Sequence, residues 1–177
     1  MSRSLSLSMY RLSVPALVRG LGILSGYMDK AAAFAAENNI DPSVLINARL
    51  APDMFSLAGQ IQRASDNSKG GIARLAGLEA PSFPDSEKTF PELKERIANT
   101  IAFLKTVRPE QLEGSEHHDI TLKLRFASGV LKGDAYLLQV LLPNFYFHIA
   151  TVHDILRHNG LKIGKEDYIG EVGGEAG

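Results

Sequence analysis

The sequence predicts an all-α protein, a four-helix bundle with a small β-hairpin set before its last helix. Three observations carry that expectation. Apolar residues recur every three or four positions over four long stretches, the period of helices that turn one face to a core. Between the third and fourth stretches, Ile120, Leu122, Leu124 and Phe126 alternate with Thr121, Lys123 and Arg125, the period of a half-buried strand. Nothing in the 177 residues repeats, or shifts in composition enough to mark a domain boundary. The expected organisation is one domain over residues 1–170 followed by a Gly-rich, disordered tail over 171–177.

The first long helix is expected from Leu7 to Asn38, with Leu17, Leu21, Leu24, Met28 and Ala32 on its inner face. Pro15 lacks a backbone donor, so it either opens this helix or kinks it. Asp41 and Pro42 have the N-cap and first-turn chemistry of a short helix running to about Arg49. A second long helix is read from Pro52-Asp53 to Gly77. Its paired Gly70-Gly71 is explained by close helix packing or a local kink. Leu78 to Glu87, with Pro81 and Pro84, reads as a surface loop. The third helix begins at Ser86 or Thr89, carries Phe90, Leu93, Ile97, Ile101 and Leu104, and stops before Pro109, where a one-turn helix to Leu112 follows.

The hairpin is expected as a strand over 119–126, a turn at Ala127-Ser-Gly129 and a short return over Val130-Leu131-Lys132. Asp134 can cap the last helix, and Pro143 either kinks it or splits it near Leu142. Beyond Pro143, Phe145, Ile149, Val152 and Leu156 form the core stripe, while Asn144, His148, Thr151 and Ile155 share the neighbouring side. Asn159-Gly160 ends the helix. The segment from Leu161 to Gly170 reads as an extended tail that docks Ile163, Tyr168 and Ile169 on the bundle.

Composition narrows the function more than it identifies it. A formal net charge of -1 argues against a nucleic-acid binder, which usually presents a basic face. Without cysteine there is no disulfide, thiolate metal site or cysteine nucleophile. The first residues carry one Arg but no apolar run of signal-peptide length. The longest apolar run, Tyr136 to Pro143, is too short to span a bilayer. A soluble, cytoplasmic protein without a membrane or nucleic-acid partner is the expectation. No Gly-x-Ser-x-Gly elbow or phosphate-binding glycine loop is present.

The runs Leu142-Pro-Asn-Phe-Tyr-Phe-His148, Ile155-Leu-Arg-His-Asn-Gly160 and Ile163-Gly-Lys-Glu-Asp-Tyr168-Ile-Gly170 resemble domain of unknown function family 1993 (DUF1993). Pro52-Asp-Met-Phe55 and Gln60-Ile-Gln62 match it as well, so the resemblance covers nearly the whole chain. That family belongs with the DinB-like (DinB/YfiT) four-helix proteins. The resemblance therefore implies an up-down-down-up bundle, often a homodimer, in a group that includes metal-dependent hydrolases and thiol transferases. Family 1993 itself has no established activity. Members of the wider group commonly hold a divalent metal between three histidines. Aligning Leu156-Arg157 and Gly160 puts His148 at the second of these positions, Asn144 at the first and Gln60 or Gln62 near the third.

One of three ligand positions thus holds histidine and the others hold amides. Zinc sites draw mainly on imidazole, carboxylate and thiolate, whereas amide oxygens bind more weakly and suit harder ions. Three readings of His148 follow: a ligand to a divalent metal such as Zn or Ni, a member of a neutral polar cluster in the former metal cavity, or a hydrogen-bonded core histidine. A third and a fourth donor converging on His148, such as Asp66 or a tail residue, would favour the metal.

The candidate pocket comprises Gln60, Gln62, Asn144, Tyr146, His148 and Thr151. It would take a small polar ligand or belong to a dimeric structural module; the alternative is a divalent-metal-dependent enzyme of the thiol-transferase or hydrolase type. His153 lies about 140° around the helix from His148 and cannot easily chelate the same ion. Asp154 is spaced to pair with Arg157 or His158. His117-His118, beside Glu113, Glu116 and Asp119, reads as a solvated turn.

Overall fold

The computed structural model describes residues 7–123 and 128–172. Four long helices form the bundle. α1 (Met9–Glu37) is capped by the Ser8 side chain and carries Pro15 within it, so Pro15 does not open the helix. α2 (Pro42–Ile46) is short and begins under the Asp41 cap. α3 (Leu57–Ala76) starts five residues later than the apolar spacing from Pro52 suggests, because the Ser56 hydroxyl accepts from the Gly59 N–H and fixes the first turn there. It ends at Gly77, whose left-handed backbone closes the helix.

α4 (Phe90–Thr106) opens with a capping box, in which Thr89 and Glu92 each satisfy the other's backbone donor. A 3₁₀ turn at Pro109–Gln111 and a second at Ser115–His117 lead to the hairpin. β1 (Asp119–Lys123) pairs antiparallel with β2 (Ser128–Lys132), Asp119 opposite Lys132 and Lys123 opposite Ser128. Ile120 and Leu122 point inward as the alternation predicts. Ser128 and Gly129 are strand residues rather than turn residues, since the register pairs them with Lys123 and Leu122. Leu124 to Ala127, the rest of the predicted strand and turn, lie outside the described residues, as do Gly173 to Gly177 of the tail.

α5 (Gly133–Tyr136) passes through a π turn at Leu137–Leu141 into α6 (Leu142–His158). Pro143 sits in the first turn of α6, just after that change of helix type, and the helical run continues through it. The run from Gly133 to His158 is long and apolar enough to cross a membrane by length and composition. In the bundle, Leu137, Leu141, Phe145, Ile149, Val152 and Leu156 of this run fill the core. The predicted extended tail is partly helical, with α7 at Lys165–Ile169. Arg19 donates to the carbonyls of Ile169 (2.5 Å) and Glu171 (2.7 Å), and Lys30 pairs with Asp167, so α7 is strapped onto α1.

Cross-links between helices give the topology. Gln62 and Arg63 meet Glu87 and Asp85 in the approach to α4, and Asp66, a turn later in α3, meets Arg96 within α4, so the two helices run parallel. Gln60 meets His148 and Arg74 meets Tyr136, so α3 runs antiparallel to the last helix. This is an up-down-down-up bundle, and the loop from Leu78 to Thr89 is the crossover that parallel neighbours require. Two glycines set the helix spacing. A Cβ on Gly20 would lie 2.6 Å from both Ile149 and Phe145, and one on Gly71 would lie 2.8 Å from Leu141 Cδ2.

Candidate functional site

Two helical stripes face each other across a cleft of about 440 Å³. From α3 come Arg63, Asp66, Asn67, Gly70 and Arg74, on positions that recur every three or four residues. From the last helix come Tyr136, Val140, Asn144 and His148, four residues apart. Thr121, Leu122 and Lys123 of β1 close one side. Gly70 has open space in front of its Cα, so it widens the cleft, while Gly71 admits Leu141. Close packing therefore accounts for one of the paired glycines and cleft width for the other.

His148 and Gln60 are the buried polar pair of this site, at 8% and 1% exposure. His148 Nδ1 lies 2.7 Å from Gln60 Oε1, and Gln60 Nε2 donates to the Phe55 carbonyl at 3.2 Å. With the amide turned that way, Gln60 presents an oxygen, so Nδ1 carries the proton and donates. Burial, helped by the nearby Arg63 charge, pushes the imidazole down to about 4. The ring is neutral near pH 7 and Nε2 keeps a lone pair.

The other predicted pocket residues are dispersed. Asn144 lines the same cleft as His148, at its exposed edge. Thr151 is buried but donates to the Phe147 carbonyl in its own helix. Gln62 turns away toward α4 and donates to Glu87 Oε2 at 2.9 Å. Tyr146 is 38% exposed on the opposite flank, where it lines a smaller hollow with Arg19, Gly20, Tyr168 and Ile169. Two residues account for this: Gln62 lies two positions beyond Gln60, and Tyr146 two before His148, about 200° around a helix in each case.

Asp66 does reach the cleft, but its carboxylate is committed elsewhere. It pairs with Arg63 (3.0 Å), Lys69 (2.8 Å) and Arg96 (2.8 Å). Arg96 is buried and also binds the Pro84 carbonyl, Asp85 and Glu87, which ties the crossover loop to α3 and α4. Burial alone would raise the Glu87 carboxyl, yet hydrogen bonds from Arg96 and Gln62 hold it below its usual value.

The donor set does not fit a divalent metal. A neutral His148 with its Nδ1 held by a carbonyl has the posture of a metal ligand, but it stands alone. Among the described residues no group of three or more His, Asp and Glu is placed to hold an ion. Gln60 Oε1 is used by His148, Asp66 by three cations, and the Arg63 charge that depresses His148 would oppose a metal at Nε2.

Sequence reasoning missed Arg63, Asn67, Arg74, Tyr136 and Val140. Their signal was the continuation of the two stripes from Gln60 down α3 and from His148 back across Pro143. The latter was obscured because the proline left the helix's course open. Elsewhere, His153 Nδ1 lies 2.7 Å from the Tyr27 hydroxyl, with the Tyr168 ring edge-on to it, and Arg157 donates to the Ile163 carbonyl. His153 and Arg157 thus anchor the C-terminal strap, and among the described residues neither pairs with Asp154.

Comparison with known proteins agrees with the fold. A family model described as "Domain of unknown function (DUF1993)" matches residues 9–169. A search of curated proteins finds no match. Among solved structures, the chain is similar to a DinB family member protein from Shewanella denitrificans. The two are 38% identical, with a TM-score of 0.88 over 96% of each chain. The chain belongs to the DUF1993 family and has the DinB-like fold.

Proposed function

We propose that this protein binds a small polar ligand, without a metal, in the cleft between α3 and the last helix. The observation that carries the reading is neutral His148, fixed by Gln60 buried behind it, at the wall of a cleft whose other walls bear Asn67, Arg74, Thr121 and Asn144. Ligand sites commonly combine a concave shape of this size with a few fixed polar groups. Here Gln60 holds the His148 ring, and Asn67 Nδ2 donates to the Leu141 carbonyl at 3.1 Å, so both sit in set orientations.

A thermal-shift screen of small polar metabolites tests this, run on the wild type and on Asn144→Trp, which places a large ring at the exposed edge of the cleft. The expected result is a set of compounds that raise the wild-type Tm and leave the variant unmoved, with similar ligand-free Tm in both. Compounds that shift both proteins equally would refute the site. Near-stoichiometric metal on the purified wild type, lost in His148→Ala, would replace this reading with the metal-dependent enzyme.

A further inference from the structure

We infer that the ligand of this cleft is a small organic anion, its charged group held by Arg74 and Lys123 and the rest of it extending past Asn67 and Asn144 toward neutral His148. The inference rests on the cleft being a ligand site and adds the charge class. The reason is an imbalance of charge along the cleft. Its ionised side chains are Arg63, Asp66, Arg74 and Lys123. At one end Arg63 is matched by Asp66 and Asp85, and His148 is uncharged, so that end carries little net charge.

At the other end Arg74 spends one nitrogen on the Tyr136 hydroxyl, at 2.7 Å, and stacks over the Tyr136 ring. Among the described residues no carboxylate pairs with Arg74 or with Lys123. The hydroxyl and the ring fix the guanidinium plane without neutralising it, and the remaining N–H groups form a fork suited to a carboxylate or phosphate. Burial also pushes the Tyr136 hydroxyl up, so it stays protonated and adds no negative charge beside the fork. Among the described residues the two cations therefore lack internal anions, and a bound anion would complete the charge balance of the cleft.

Isothermal titration at low salt with succinate, inorganic phosphate and uncharged succinamide tests this on the full chain, its Arg74→Gln variant and its Lys123→Gln variant. Lys123 lies on an exposed strand position, so its variant guards against a fold defect in the other. Saturable binding of succinate or phosphate is expected, weakened about tenfold or more by Arg74→Gln, since a charge-assisted hydrogen bond contributes about 1.5–3 kcal/mol. Lys123→Gln should weaken it less, and added NaCl should weaken it in the wild type. Preference for succinate over phosphate, or the reverse, identifies the head group. Succinamide binding as well as succinate, with both variants unchanged, would overturn the anion while leaving the cleft a ligand site. No binding by any of the three would overturn both.

Discussion

Acidification should destabilise this protein through His148 in a way that one substitution removes. The folded ring titrates at about 4, against an ordinary value of 6.5, because it is buried and faces the Arg63 charge. The unfolded chain therefore takes up this proton first. Stability is fully present above pH 6.5, falls as pH drops from there toward 4, and levels off below. From these two values the loss between about pH 8 and about pH 4.5 is roughly 2.5 kcal/mol, to the order of magnitude such shifts allow. Other groups titrate in the same range, so the informative quantity is a difference. Urea unfolding of the wild type and His148→Gln across this range should give free-energy curves that converge by roughly that amount toward acid. NMR of the His148 ring should show it neutral down to about pH 5. Parallel curves for the two proteins, or a ring that titrates at its ordinary value, would refute the buried neutral pair.

Two further perturbations test the packing around the cleft. Gly71→Ala should destabilise by about 1–3 kcal/mol, because the new methyl meets a fully buried Leu141 that has nowhere to go. Gly70→Ala meets nothing and should stabilise by up to about 1 kcal/mol through helix propensity. Paired thermal melts check the contrast, and equal shifts would contradict the spacing assigned to Gly71. Arg96→Met should cost about 3 kcal/mol, since it leaves Glu87 and part of Asp66 without their buried cation. Limited proteolysis should then cut within Leu78 to Lys88 at a protease dose that spares the wild type; an uncut loop would refute Arg96 as the residue that holds it, leaving Arg63–Asp85 and Gln62–Glu87 as the restraint.

The bundle was legible because its information is local. Caps at Asp41 and Thr89, the glycine exit at Gly77 and the apolar stripes each act within one or two turns, and each appears where the residues indicate. The start of α3 differs from the expectation because Pro52-Asp53 carries the same helix-opening chemistry as Ser56, and the Ser56 cap on Gly59 together with the Leu57 N–H bond to the Ala48 carbonyl decides between them. At the site, His148 with Gln60 follows from the spacing and the family resemblance together. The partners of Gln62 and Asp66 do not, since both depend on how the crossover loop folds back over Arg96. The tail helix is a similar case: five residues with marginal propensity are held by Arg19 and Lys30 from the far end of the sequence.

Pro143 shows why the cleft itself was hard to read. A proline inside a helix removes one N–H and crowds the carbonyl a turn earlier. The chain answers with the π turn at Leu137–Leu141, just ahead of the proline. The Leu141 carbonyl accepts from Asn67, and the Leu141 side chain enters the space left by Gly71. In a regular helix, residues four apart drift by about 40° each step, so Tyr136 and His148 would stand about 120° apart. A π turn holds more residues per turn and takes back part of that drift. Tyr136, Val140, Asn144 and His148 can then line one cleft opposite the α3 stripe. Proline, π turn, Asn67 and Gly71 act as one device, and what it aligns is the polar wall on which the ligand reading rests.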